Sequence, residues 1–436
     1  MTSSYWQQDL HDYPTSALPS RAEIAIVGGG LVGLSIGLRL AAAGAEVVLV
    51  ERERVAAGAS GRNGGLLLPG TSELYPPLVE RWGRTRAREL WALAERGADG
   101  LVALVEMLEG DGLDCGWRPE GGLHVASSES EAEALRLGAK WLAEDGFDAR
   151  WLERDALADY SDLELPPGLE GALLVPRGGC LHSGRLLSAL AMRATRVGLK
   201  VVEATRVLKI DGTGEGSATE TGADTGHPAH LIADRDAEHG GLRLMCEGGT
   251  LEARQVVVAA NAWAARLLPA LDGTIQAVRG QVLATAPLPP RRFRGGWSLN
   301  EGYEYLQQTD SGRLVVGGMR WTAADRELGY DRHETNPRIQ SRLDAFLGAS
   351  WPELVDSSSG EVPIAHRWAG IMAWTPDRMP LIGAVPGLAG CWMACGFSGH
   401  GVPYAMLAAE ILASRIEGGA VLAGSRAFDP ARFPAP

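Results

Sequence analysis

The stretch Glu23-Ile24-Ala25-Ile26-Val27-Gly28-Gly29-Gly30-Leu31-Val32-Gly33 decides the fold. An apolar strand leads into the pattern Gly-x-Gly-x-x-Gly, helix-forming residues follow, and a second apolar strand at 46–50 ends on Glu51. In a dinucleotide site Gly28 allows the tight turn, Gly30 lets the backbone approach a pyrophosphate, and Gly33 lets helix and strand pack closely. The order of these parts predicts a βαβ unit that binds a dinucleotide. Its helix N-terminus, at Leu31 and Val32, would face the phosphates, and Glu51 would accept the ribose hydroxyls.

Length and composition limit the class of protein. A chain of 436 residues is longer than one ordinary core, so two domains are expected. No run of about 18 apolar residues is present, and residues 1–20 lack a signal-peptide pattern, so we expect no membrane span and a cytoplasmic location. The five cysteines show no metal-like spacing and suit a reducing compartment. The net charge of −13 opposes nucleic-acid binding.

Further segments carry strand or helix patterns. We expect helices at 78–108, 129–145, 183–197 and 402–415, and strands at 122–126, 172–175, 200–203, 206–210, 242–247, 255–259, 281–285, 314–317 and 391–394. Residues 212–241 are rich in Gly, Ser, Thr and acids and lie between two strand patterns, which predicts a long hairpin insertion. Glycine-rich loops at 58–65 and 396–401 lie far apart in the chain. A single nucleotide domain must therefore be assembled from separated segments.

Four ordered motifs resemble a known family. The glycine fingerprint, Gly-Ala-Ser-Gly-Arg-Asn-Gly-Gly at 58–65, the strand and turn at 256–263, and Gly-Phe-Ser-Gly-His-Gly at 396–401 resemble the FAD-dependent D-amino-acid oxidase superfamily. The likeness is greatest to its glycine/sarcosine oxidase and γ-glutamylputrescine oxidase branch. It implies an α/β fold, with a Rossmann-like FAD-binding domain of the glutathione-reductase type and an interleaved α+β substrate domain with a mixed sheet. We expect the FAD-binding domain at 20–75, 172–272 and 360–436, and the substrate domain at 76–171 and 273–359.

The resemblance assigns most of the cofactor site. Gly28, Gly30, Gly33 and Glu51 would hold the pyrophosphate and adenosine ribose. Arg52 would contact adenine, although a solvated charge at the strand end explains it equally well. The remaining positions implied by the resemblance are Ser60, Gly61, Arg62, Asn63 and Gly64 in the loop toward the flavin, Val207, Ala260 and Trp263 on the adenosine side, and Gly396, Ser398, Gly399, His400 and Gly401 over the flavin. Core packing would also explain Val207, and Asn261 replaces a glycine frequent in relatives.

The mode of FAD attachment and the electron acceptor are also expectations from the resemblance. Gly370 occupies the place of the cysteine that bonds to the flavin in sarcosine-oxidase-like relatives, which predicts noncovalent FAD. Val315 occupies the place of a lysine found in relatives that react fast with oxygen. The acceptor would then be dioxygen used slowly, or another electron carrier.

The substrate side follows from the same resemblance and from strand periodicity. Tyr303 and Tyr305 share one strand face, and Trp297 and Trp321 would complete an aromatic wall for a cationic or apolar amine. Core packing explains the tryptophans equally well. Tyr305, Arg320 and His400 are the candidate catalytic residues, and His400 either places positive charge near the flavin or only packs.

The expected reaction removes a hydride from the amine-bearing carbon of an amine or amino acid and gives an imine. Met372 stands where glycine oxidase and its relatives have the arginine that binds the substrate carboxylate. The sequence therefore favours an amine whose carboxylate is absent or remote, although Arg320 or Arg279 could still bind an α-carboxylate. Two alternatives remain open: a dehydrogenase of 2-hydroxy acids or polyol phosphates, and an FAD-binding scaffold without redox activity.

Overall fold

The computed structural model describes residues 2–213, 241–288 and 290–433. Its helices and strands, in chain order, are β1 (Arg21–Val27), α1 (Leu31–Ala42), β2 (Val47–Val50), β3 (Leu66–Leu67), α2 (Tyr75–Trp82), α3 (Arg84–Gly110), β4 (Gly122–Ala126), α4 (Glu129–Glu144), β5 (Arg150–Glu153), α5 (Arg154–Leu157), β6 (Gly171–Val175), β7 (Gly179–Cys180), α6 (Ser183–Arg196), β8 (Lys200–Val202), β9 (Val207–Gly212), β10 (Leu242–Cys246), β11 (Gly249–Val258), α7 (Ala264–Leu267), β12 (Gln276–Thr285), β13 (Gly296–Leu299), β14 (Glu304–Gln308), β15 (Leu314–Gly318), α8 (Pro337–Ser350), β16 (Ile364–Trp374), β17 (Leu381–Ala384), β18 (Cys391–Cys395) and α9 (Gly401–Ile416).

The first sheet is built around β1. Its strand order is β17-β18-β11-β1-β2-β8, and the β9–β10 hairpin pairs with β11 through β10. The neighbours of β1 run parallel to it, with Val27 opposite both Val50 and Val258. Strand β2 reads Val-Val-Leu-Val and is buried throughout, as expected for a parallel strand covered on both faces. The carboxyl ends of β1, β2 and β11 consequently meet at one edge of the sheet.

Helices cover one face of this sheet, and two of them, α3 and α9, are in close contact. Helices α1, α3, α6 and α9 share one apolar core with the first sheet. A Cβ built on Gly97 of α3 would lie 2.1 Å from the carbonyl oxygen of Pro403 in α9. Only glycine allows this approach, so α3 supports the first turn of α9.

The second sheet is mostly antiparallel. Its order is β16-β12-β15-β14-β13-β4-β6-β5, and only β13 and β4 run parallel within it. One face packs on an apolar cluster that includes Phe293, Trp297 and Trp351. The opposite face of β14, β15 and β16 contributes residues to the cavity described below.

The observed strands modify the expected domain boundaries. Residues 171–175 pair with β4 and β5, and residues 364–374 pair with β12, so both strands belong to the second sheet. The sequence placed 172–175 and 364–374 in the FAD-binding segments. We therefore propose the same interleaved division with β6 and β16 on the substrate side.

Strands β9 and β10, at the two ends of the predicted insertion, form an antiparallel hairpin in which Gly212 pairs with Leu242. Residues 214–240 within the insertion lie outside the described residues. All five cysteines are buried and unpaired. In the described parts of the chain, no helix combines the length and apolar character needed to cross a membrane.

Candidate active site

One cavity of about 530 Å³ joins the two sheets. At one end it is lined by the glycine turn after β1 and by Glu51 after β2, and at the other by Tyr303, Tyr305 and Arg320. All but three of the expected cofactor residues line it; the exceptions are Gly33, Gly61 and Gly396. A Cβ on Gly33 or Gly61 would lie 2.0 Å from a carbonyl oxygen, of Gly28 or Ala56 respectively. These glycines therefore shape the turns that carry the lining residues.

The glycine turn holds the N-terminus of α1 open toward the cavity. Gly28 has φ +116°, and a Cβ there would lie 2.6 Å from the carbonyl oxygen of Ala259. Gly30 caps α1 with no side-chain hydrogen bond, and the amide of Leu31 donates to Oγ of Ser60 at 3.0 Å. The α1 amides and the positive end of the helix dipole suit a diphosphate.

Glu51 is held by two backbone amides. Its Oε2 accepts from the Gly29 amide at 2.7 Å, and its Oε1 accepts from the Glu53 amide at 2.9 Å. Burial raises the pKa of Glu51, and the two amide bonds act against that rise. The carboxylate is thus fixed beside the glycine turn, where it can accept ribose hydroxyls.

The adenosine end is closed by Arg52 and Trp263. The Arg52 guanidinium carbon lies 3.9 Å from the centroid of the Trp263 ring, and Val207 and Ala260 line the same end. Asn261 has φ +47°, a conformation that asparagine tolerates better than most residues, and its Oδ1 accepts from the Gly396 amide at 3.3 Å. The replacement of glycine by Asn261 thus keeps the turn and adds a tie to the C-terminal loop.

The loop at 58–65 is braced from outside the cavity by the N-terminal strap, which we define as residues 2–7. In the strap, Ser4 Oγ donates to the Gly61 carbonyl at 2.6 Å, and Trp6 Nε1 donates to the Asn63 carbonyl at 2.7 Å. Trp6 is fully buried. The sequence analysis missed this strap, because its partners lie far away in the chain.

Arg62 is a buried cation without a counter-charge. It is 5% exposed and lines the cavity, and its Nε and Nη1 donate to the carbonyls of Ala57 and Ala369 at 2.6 and 3.2 Å. It forms no ion pair with any described residue, and burial lowers its pKa. An uncompensated charge of this kind is costly unless an anion joins it.

The C-terminal loop combines several left-handed residues with the start of α9. Gly396, Ser398 and Gly399 have φ between +49° and +89°, and His400 is the N-cap of α9. Burial lowers the pKa of His400 to about 4, so its imidazole is neutral at pH 7. Of the two roles predicted for His400, positive charge near the flavin or packing alone, a neutral imidazole favours packing, and the α9 N-terminus then supplies the electropositive end of the loop.

Tyr303, Tyr305, Arg320 and Met372 line the substrate end as expected, but the two tryptophans do not. Trp297 is fully buried in the core of the second sheet, and its Nε1 donates to the Arg294 carbonyl at 2.9 Å. The next residue, Ser298, lines the cavity instead, because successive side chains of a strand alternate between faces. Trp321 is 49% exposed and donates to Oε1 of Glu304 at 2.6 Å.

The two candidate arginines differ in their partners. Arg279 is buried against Glu327, with its Nη2 3.1 Å from Oε1 of the carboxylate, and is not available to a substrate. Arg320 lines the cavity and has no ionic partner among the described residues. The cavity wall also includes Trp374 and Arg378, which the sequence analysis missed. Trp374 lies two residues after Met372 on β16, so the two side chains share one face of the strand.

The whole-chain comparisons agree with this site. Residues 23–415 match the family model described as FAD dependent oxidoreductase (DAO). The chain belongs to this family of FAD-dependent oxidoreductases. The chain is 28% identical to gamma-glutamylputrescine oxidoreductase of Escherichia coli K12, covering 96% of this chain and 90% of that protein. It is 26% identical to glycine oxidase of Geobacillus kaustophilus, covering 91% and 93% respectively.

Two further comparisons bear on length and fold. The bifunctional protein MnmC of tRNA 5-methylaminomethyl-2-thiouridine biosynthesis, from Burkholderia lata, is 30% identical over 98% of this chain, which spans only 62% of that relative. The crystal structure of glycine oxidase from Geobacillus kaustophilus superimposes with a TM-score of 0.75 at 23% identity, covering 96% of this chain and all of that one. This likeness confirms the expected fold class.

The residues present fit FAD. The α1 N-terminus and the unpaired Arg62 suit its diphosphate, Glu51 suits the ribose, and the α9 N-terminus suits an electron-rich flavin ring. No cysteine lines the cavity in the described chain, and burial raises the pKa of Cys395, near the C-terminal loop, to about 12.

Proposed function

We propose that the protein oxidises an amine or amino acid at the carbon that bears the nitrogen. The observation that carries the proposal is the single cavity that joins the FAD-type glycine turn to the tyrosine face of the second sheet. FAD, when bound, accepts the hydride that leaves the amine-bearing carbon. The substrate nitrogen loses a proton, and water hydrolyses the resulting imine to a carbonyl compound and an amine or ammonia.

Two neutral side chains at the substrate end suit an unprotonated amine. Burial raises the pKa of Tyr305, so its phenol keeps its proton, and the pKa of His400 is lowered to about 4. Tyr305 Oη can accept a hydrogen bond from the amine N–H and so hold the nitrogen lone pair parallel to the C–H bond that breaks. Neither group repels a substrate by charge, and positioning accounts for most of their contribution.

The same pKa values disfavour oxidation of a 2-hydroxy acid. That reaction requires a base to take the hydroxyl proton, and a base is most effective when its pKa lies near the working pH. With its pKa near 4, the imidazole of His400 is a weak base for a hydroxyl group. An amine that enters unprotonated needs no such base.

Anaerobic titration of the FAD-loaded protein tests the proposal. A panel of primary amines, secondary amines, amino acids, 2-hydroxy acids and polyol phosphates is added, and loss of the oxidised flavin absorbance is followed. Amines or amino acids should bleach the flavin, and deuterium at the amine-bearing carbon should slow the bleaching. Bleaching by 2-hydroxy acids or polyol phosphates alone, or by nothing in the panel, would reject the proposal.

A matched pair of variants tests the part assigned to Tyr305. Tyr305→Phe removes the cavity hydroxyl and should lower kcat/KM for the best amine by about tenfold, the scale of one lost polar contact. Tyr330→Phe changes an exposed tyrosine outside the cavity and should leave kcat/KM at the wild-type value.

A further inference from the structure

Four side chains of the cavity wall alternate between aromatic rings and guanidinium groups. The Arg320 guanidinium carbon lies 4.8 Å from the ring centroids of both Tyr303 and Trp374. That of Arg378 lies 5.7 Å from the Trp374 centroid. All four residues line the cavity, and we call them the guanidinium stack. Flat contacts with rings hold a guanidinium plane while leaving its N–H edge available for hydrogen bonds.

The charge of Arg320 is not compensated within the described chain. Arg378 lies 3.4 Å from Oε1 of Glu73, and Arg279 is paired with Glu327. Burial lowers the pKa of Arg320, the charges of Arg326 and Arg378 lower it further, and the Tyr303 hydroxyl acts in the opposite direction. A cation that is partly removed from water beside two others is a binding position for an anionic group.

The stack lies away from the loop that approaches the flavin. On β14, Gln307 Nε2 donates to the carbonyl oxygens of Gly64 and Gly65 at 2.8 and 2.7 Å. Tyr305 is the next residue on that face, and its ring packs against Gly64. Tyr303 immediately precedes β14, at the end of the strand away from Gln307. Because Arg320 stacks on Tyr303, its guanidinium lies beyond Tyr305 as seen from the loop.

This order along the wall separates the anionic group from the reacting carbon. An α-carboxylate is one bond from the amine-bearing carbon and would have to lie beside Tyr305. On β16, Met372 lies between Gly370, which faces Arg62, and Trp374 of the stack, and its thioether cannot pair with a carboxylate. Arg320 instead suits a carboxylate several bonds away.

Building on the proposed function, we propose that the guanidinium stack binds the remote carboxylate of an amine substrate, with Arg320 as the residue that determines this specificity. The substrate class is an amine with its carboxylate at the opposite end of a short chain. Met372 and the ring of Tyr305 would contact the methylene groups between the two ends.

Three five-carbon probes separate this class from its neighbours: δ-aminovalerate, its isomer norvaline, and pentylamine. With the FAD-loaded enzyme, kcat/KM for δ-aminovalerate should exceed that for pentylamine by about tenfold or more, mainly through KM, as expected for a charge-assisted pair. Arg320→Met should bring this ratio close to one. Arg342→Met removes an exposed charge of α8, outside the cavity, and should keep the wild-type ratio. A wild-type ratio near one, or a preference for norvaline that Arg320→Met abolishes, overturns the proposal.

Binding without turnover separates this proposal from the proposed function. Valerate carries the carboxylate but no amine, and its binding is followed by its perturbation of the oxidised flavin spectrum. Its Kd should rise by about tenfold in Arg320→Met and stay unchanged in Arg342→Met. If that result is obtained while no amine bleaches the flavin, the subsite stands and the proposed reaction fails. If amines bleach the flavin while the Kd for valerate is equal in both variants, the subsite fails and the reaction stands.

Discussion

The hydroxyl of Tyr305 lies directly over Gly317: a Cβ built on Gly317 would be 2.3 Å from the phenol oxygen. Gly64 contacts the same ring, where a Cβ would lie 2.6 Å from Cε2. Glycine at both positions therefore sets where the Tyr305 ring lies in the cavity. Gly317 belongs to the second sheet and Gly64 to the loop at 58–65, so two separate segments of the chain locate the ring.

Adding one methyl group at Gly317 should displace the Tyr305 ring. We expect Gly317→Ala to lower kcat/KM for amines to about the level of Tyr305→Phe, because the phenol oxygen can no longer keep its position. FAD content should stay at the wild-type level. The double variant should be no worse than either single variant, since both act through one group. Fully additive losses would contradict a shared mechanism.

Arg62→Met should have opposite effects on the two forms of the protein. The apoprotein should keep or gain thermal stability, because a buried, unpaired charge is replaced by an apolar chain of similar length. The Kd for FAD should rise by about tenfold or more, since a charge-assisted contact to the diphosphate is lost. Fluorescence titration of FAD measures the second effect, and Arg54→Met, at an exposed position outside the cavity, is the control. A less stable apoprotein with unchanged FAD affinity would assign Arg62 a purely structural part.

FAD should be held without a covalent bond. Gly370, at the place where relatives carry the flavin-linked cysteine, offers no thiolate, and its Cα faces Arg62, whose Cβ would lie 3.1 Å from an added Cβ. Acid precipitation of the FAD-loaded protein should leave the yellow colour in the supernatant. A yellow pellet that survives washing in denaturant would show covalent attachment.

Reaction of the reduced protein with dioxygen should be slow. No lysine lines the cavity in the described chain, Val315 is fully buried, and His400 is neutral at pH 7. Without a lysine or a charged histidine in the cavity wall, negative charge that develops on oxygen has less electrostatic support. Stopped-flow mixing of reduced protein with oxygen and with a soluble quinone compares the two acceptors, and the quinone should react faster. Faster reoxidation by oxygen would refute this.

The free energy of unfolding should decrease as the pH drops under about 6.5, partly because of His182. Its Nδ1 accepts from the Arg185 amide at 3.1 Å, and burial lowers its pKa to about 4, whereas the unfolded value is about 6.5. The unfolded chain thus takes up a proton at a higher pH than the folded chain. The stabilisation is complete above about pH 6.5 and is lost as the pH falls toward 4, by at most ~1.4 kcal/mol per pH unit.

His182→Asn separates the helix cap from the titration. Asparagine also caps helix N-termini but does not ionise, so the free energy of unfolding should depend less steeply on pH between 6.5 and 4. Urea unfolding at several pH values gives that slope. An unchanged slope would mean that other groups account for the pH dependence.

Local patterns predicted the nucleotide end of the site well and the substrate end less well. The β1–α1–β2 unit follows from residues within thirty positions of one another, and its order alone identified the glycine turn and Glu51. Trp297 was misplaced because residue type does not reveal which face of β13 points inward. Arg279 and Arg320 looked equivalent in the sequence, and Glu327, 48 positions from Arg279, distinguishes them only in the folded chain. Strand β16 was missed because it shows no clear alternation.

The N-terminal strap can form its contacts only after later segments of the chain are present. Thr2 donates through Oγ1 to the His333 carbonyl, a partner 331 positions further along the chain. Trp6 donates to a carbonyl of the loop at 58–65, and the same loop accepts a hydrogen bond from Trp368, whose Nε1 donates to the Arg62 carbonyl. Because synthesis runs from the N-terminus, the strap is made before His333 and Trp368 and cannot reach its final contacts until those residues have followed. The loop at 58–65 can reach its final form only after that point. We therefore expect FAD to bind late in biosynthesis, and not as soon as the glycine turn has been synthesised.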